Sequence, residues 1–222
     1  MKKITVSLMM AGSLLITGCS DNKAYETSIC ALADISGTYA KEKKSMVKII
    51  KAGLLPKMVP GDGIFLVAID SNSYTQKNLV TKMTLDYRPT EVQKQKLAFS
   101  EKLEKFAKDT MRSKHTDISG AMMLCSDYLK DTKSGTQLIF IFSDMKEELP
   151  SGVRRKFKDN EFSGIHIAAM NVIKLNKDSA DPERYRSRME KWKKKLDDAG
   201  AKSWSNIIDA NKLSDYIDSI KS

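Results

Sequence analysis

Three short stretches place oxygen-bearing side chains where chemistry can use them. Asp34-Ile35-Ser36-Gly37-Thr38 follows an apolar run, Thr116-Asp117 opens a stretch of helical spacing, and Ser143-Asp144 ends a second apolar run. Carboxylates and hydroxyls are hard donors, the set that suits Mg2+, with Mn2+ or Ca2+ as substitutes. In an extended turn, alternate residues point the same way, so Asp34, Ser36 and Thr38 can converge three oxygens. The same residue types also cap helices and close turns, which explains each stretch taken singly. His115 and His166 have no Cys or His at zinc spacing, and the chain contains neither a nucleophile elbow nor a phosphate loop. Nothing sets a general base beside a nucleophile, so the expectation is a binding protein and not an enzyme.

The elements that must hold these residues alternate along the chain. Residues 29–33, 64–69, 137–142 and 164–173 are short apolar runs of buried-strand type, residues 80–87 an edge strand, and 201–207 a last strand. Helical spacing predicts helices over 41–57, from Pro89 with Val92, Phe99, Leu103 and Phe106 on one face, and over 116–130 with Ile118, Ala121, Met122, Cys125 and Leu129 on one face. Further helices are expected from Asp181-Pro182-Glu183, with Tyr185, Met189, Trp192, Leu196 and Ala199 inward, and over 213–220. This is the pattern of an α/β fold: a Rossmann-like, doubly wound, mostly parallel central sheet with helices on both faces. In such folds ligands bind beyond the C-terminal ends of the strands, where the three stretches fall.

Composition bounds the rest. The 222 residues are 41% hydrophobic and 30% charged, which excludes fibrous and largely disordered chains. Lys2 and Lys3 precede residues 4–17, an uncharged run too short to span a bilayer comfortably but matched to a signal-peptide core. Leu15-Ile16-Thr17-Gly18-Cys19 is similar to the bacterial lipobox. That resemblance implies a leader over 1–18, a mature N-terminus at a diacylated Cys19 and a short tether over 19–27 before a domain over 28–222. It also implies membrane attachment through the lipid, and Ser20 after the Cys points to the periplasmic face of the outer membrane. Losing the two leader lysines lowers the formal net charge from +10 to +8. A basic surface can meet anionic headgroups, acidic proteins or nucleic acid, and an envelope address argues against nucleic acid.

Cys30 and Cys125 remain, and an oxidising compartment invites a disulfide between strand and helix; two buried thiols acting as small hydrophobes are the alternative. The run from Arg184 through Arg188 to Lys195 is either a patch for an acidic partner or headgroups, or the solvated face of an amphipathic helix.

Together, Asp34-x-Ser36-x-Thr38, Thr116 before a helix and Asp144 after a strand resemble the von Willebrand factor type A domain with its metal-ion-dependent adhesion site. The resemblance covers about residues 28–222 and departs from the family's Asp-x-Ser-x-Ser at Thr38, whose hydroxyl coordinates equally well. It implies a Mg2+-type ion held by Asp34, Ser36, Thr38, Thr116 and Asp144, and a protein partner whose acidic residue completes the coordination. Asp117 is an extra carboxylate beside this set. The first stretch also resembles the Asp-x-Asp-x-Thr motif of haloacid dehalogenase-type phosphohydrolases, with Asp34 as nucleophile, but Ser36 stands where that chemistry needs an acid/base. A metal-free structural lipoprotein is the third reading.

Overall fold

Strands buried on both faces need apolar side chains pointing both ways, and the central strands have them. All eight residues of β1 (Thr27–Asp34) and all seven of β2 (Gly63–Ile69) are buried. The computed structural model describes residues 22–37, 39–170 and 181–221. The leader, Cys19, Thr38 and the far end of the strand expected over 164–173 lie outside them.

Six strands form one sheet in the order β3-β2-β1-β4-β5-β6, completed by β3 (Leu79–Thr84), β4 (Thr136–Phe142), β5 (Ile165–Met170) and β6 (Ser203–Ile207). Every pairing is parallel except β2 with the edge strand β3. That edge strand alternates and exposes Val80, Lys82 and Thr84, and an exposed lysine discourages further strand addition.

Alternate β1 residues feed two cores. Ile29, Ala31 and Ala33 face α1 (Lys43–Ile49), α2 (Pro89–Lys108) and α5 (Leu213–Lys221). Cys30 and Leu32 face α3 (Ile118–Thr132) and α4 (Pro182–Asp197). The structure is therefore an α/β sheet with helices on both faces, as the alternation of elements predicts. The inward faces expected for α2, α3 and α4 are the buried ones.

Two helices differ from expectation in detail. The stretch 41–57 is broken: α1 runs into a π turn at Ile50–Leu54 and a 3-10 turn at Leu55–Lys57. Gly53 lies against α5, where an added Cβ would come within 2.8 Å of Leu213 Cδ2, and Pro56 stops the helix. The second difference is at α3, which starts at Ile118 because Asp117 caps it, leaving Thr116 outside. A disulfide joins Cys30 of β1 to Cys125 of α3, with Cα atoms 5.8 Å apart.

Candidate metal centre

The last residue of β1 is Asp34, 1% exposed. Its Oδ1 accepts the backbone N–H of Ser36 at 2.8 Å, closing the turn that carries the chain off the sheet. Its Oδ2 accepts the Ser143 hydroxyl at 2.7 Å, across 109 residues of sequence. Parallel pairing of β1 with β4 brings these two strand ends side by side. Ser143 Oγ also accepts the Met145 N–H, and Asp144 Oδ1 accepts the Lys146 N–H at 2.8 Å. The loop after β4 is thus folded back tightly, with Met145 at φ +61°. Thr116 enters from a third direction: it exchanges backbone hydrogen bonds with Glu148 at 2.8 and 2.9 Å, and Ser113 pairs with the Ile35–Ser36 segment.

The result is one cleft of about 490 Å3 lined by Ser36, Gly37, Thr116 and Asp144, with Arg112, Ser113, Lys114, Lys146 and Glu148 around its mouth. Ser36, Thr116 and Asp144 are all buried, so oxygen-bearing residues from three distant segments line one cleft. Asp34 does not line the cleft; it lies beneath, behind Ser36 and Ser143. Thr38 falls outside the described residues.

Burial raises both carboxyl pKa values. For Asp34, desolvation outweighs the Ser143 hydroxyl and the Ser36 backbone and hydroxyl groups, which act in the opposite direction. Asp144 is pushed up to about 6, chiefly by desolvation, with the Asp34 charge adding to it while the Lys146 N–H, Arg188 and the Lys146 charge pull it down. The Asp144 carboxylate and the hydroxyl residues Ser36 and Thr116, with the Asp34 charge behind them, make an anionic, all-oxygen environment that suits a hard divalent cation. Among the described residues no group of three or more His, Cys, Asp or Glu could hold a metal, so any centre here depends on Ser and Thr oxygens.

Asp117 has a different task. Its carboxylate caps α3 through the Gly120 N–H at 2.8 Å, accepts the Ser73 N–H at 2.9 Å, and is gripped by Arg155, whose nearest nitrogen is 2.6 Å away. With its oxygens occupied and no exposure, it is a structural anion beside the cleft. Arg155 carries no signal in the sequence. Ser143 does, since it is a hydroxyl residue directly after a buried strand, but its neighbour Asp144 draws attention away from it. The histidines stay apart from the cleft walls: His166 Nδ1 is 2.8 Å from Ser203 Oγ between β5 and β6, and His115 belongs to a half-buried loop. As for phosphoryl transfer, both oxygens of Asp34 are hydrogen-bonded and buried, so neither is presented as a nucleophile.

No protein-family model matches the chain, and no curated protein matches it in sequence. Solved structures do match in fold. A von Willebrand factor type A protein from Catenulispora acidiphila matches over 88% of this chain and 42% of its own, at 11% identity and TM-score 0.52. The protein BatB from Bacteroides thetaiotaomicron matches over 87% of this chain and 95% of its own, at 14% identity and TM-score 0.53. An aerotolerance-related membrane protein from Bacteroides fragilis matches over 88% and 98%, at 13% identity and TM-score 0.51. The chain spans less than half the length of the first of these. The fold is von Willebrand factor type A-like.

Proposed function

We propose that this chain is a lipid-anchored bacterial envelope protein whose domain, residues 28–222, binds a partner through a Mg2+-type ion. Ser36, Thr116 and Asp144 would hold the ion in the cleft, with Thr38 completing the set and Asp34 supplying charge from beneath. When bound there, the ion would add Lewis acidity that an acidic side chain of the partner could meet. The chain's own residues orient the hydroxyls, keep the carboxylates desolvated and limit access to one concave opening. The observation that carries this reading is the convergence of Ser36, Thr116 and Asp144 on one cleft above a buried Asp34.

The anchor would be the lipid on Cys19, at the periplasmic face of the outer membrane. Among the described residues no helix is long and apolar enough to cross a membrane. The domain would act by binding, without turnover. Calorimetric titration of the purified full-length chain with Mg2+ and Mn2+ tests the centre. Saturable binding is expected, and Asp34→Ala and Asp144→Ala should each abolish it; parent-like binding in both variants would refute the assignment.

A further inference from the structure

The cleft is anionic at its floor and cationic at its mouth. Arg112, Lys114 and Lys146 all line it. Lys146 also lines a second concavity of about 310 Å3, formed with Met145, Glu147, Arg188, Lys191, Trp192 and Lys195, so the two depressions share a wall. Arg188, Lys191 and Lys195 line that second depression with Lys146, which places one side of α4 beside the cleft. The acidic residues here are committed: Glu148 pairs with Lys146, while Glu147 accepts the Ser119 N–H at 2.7 Å and meets Lys195 at 3.3 Å. Among the described residues no ion pair engages the exposed side chains of Arg112, Lys114 or Lys191.

We propose that the partner presents an acidic polypeptide segment with several carboxylates, one reaching the floor of the cleft and others resting on Arg112 and Lys114 and, past Lys146, on Lys191. This rests on the metal-site reading and specifies its ligand. A single acidic side chain would satisfy the ion but leave the uncompensated cations at the rim unmatched. Shape favours a polypeptide. Asp144 is 4% exposed at the bottom of a depression, which a flat layer of headgroups cannot enter but a side chain can. The second depression rests on a fixed wall: Trp192 and Met145 are both buried, and the indole N–H donates to the Met145 carbonyl at 2.8 Å.

The test uses fluorescence anisotropy on the full-length chain with two labelled Gly/Ser peptides, one carrying a single Asp and one carrying five acidic residues. With Mg2+ at about 50 mM salt, the five-acid peptide should bind at least about 10-fold tighter, and the advantage should shrink severalfold at about 500 mM salt. Arg112→Ala/Lys114→Ala/Lys191→Ala should remove most of that advantage; Mg2+ titration of each variant identifies any that has lost the ion site. Equal Mg2+-dependent affinity for both peptides would overturn the proposal and leave the adhesion-type centre standing. Tight five-acid binding undiminished by chelator would overturn both. Binding of neither peptide would also overturn the proposal, as would stronger competition from anionic phospholipid vesicles or an oligonucleotide than from unlabelled five-acid peptide.

Discussion

Asp144 sits where a carboxylate is least comfortable without a cation. Its pKa of about 6 lies above that of an unfolded Asp, so the folded state holds a proton that the unfolded chain releases. Its contribution to stability is therefore fully present below about pH 4 and is lost as pH rises through 6, a swing of order 2–3 kcal/mol. Asp34 shifts the same way. Urea midpoints of metal-free protein, compared between the parent and Asp144→Asn, isolate this swing: the variant should be the more stable of the two at pH 7 and lose its advantage at pH 4. A divalent ion at the centre should reverse the parent's deficit and leave the variant unaffected. Gly120 makes a second test at this scale. A Cβ there would stand 2.3 Å from Asp117 Oδ2, so Gly120→Ala should cost about 1–3 kcal/mol in urea unfolding.

Among the elements, α3 is the one on which the centre depends. Its first turn is held by Asp117, and Arg155 joins that carboxylate to Asn72 in the loop after β2. Because Asp117 is fully buried, Arg155→Ala would strand its charge and should cost about 3–5 kcal/mol. Thr116 is the residue before this cap, so surviving folded protein should also bind Mg2+ more weakly, which calorimetry reads directly. The disulfide ties the same helix to β1, whose end carries Asp34. Replacing both cysteines with Ala should lower stability by about 2–4 kcal/mol in denaturant titration. The expected helix over 116–130 was legible from Ile118, Ala121, Met122, Cys125 and Leu129. Its first residue was not, because Thr116 and Asp117 are both good caps and only the Gly120 N–H decides between them.

For the whole molecule, an ion held at one end of the sheet, as proposed, would be coupled to unfolding of the entire domain. At 100-fold excess over the dissociation constant a ligand adds about 2.7 kcal/mol, which for a chain of this size raises Tm by about 5–10 °C. Differential scanning calorimetry should show that rise with Mg2+ in the parent and none in Asp34→Ala. Two cores on opposite sheet faces share β1 and β4, and the ends of these strands that carry the centre are buried. The centre thus inherits the rigidity of the middle of the sheet, while its mouth is built from exposed loops free to carry charge.

The apolar runs at 29–33, 64–69 and 137–142 were readable as strands because a strand buried on both faces leaves no other pattern. The helix faces followed from their spacing, and the oxygen-bearing residues from their places after those runs. Local periodicity reports which side of an element is covered, not which element covers it. Only tertiary pairing set β1 beside β4, brought Ser143 to Asp34, consumed Asp117 in an ion pair with Arg155, and joined Cys30 to Cys125. It also decided that the basic residues of α4 and of the loop before Thr116 line two depressions that meet at Lys146. Those contacts link segments tens of residues apart, and their energies arise from burial and charge in the assembled molecule.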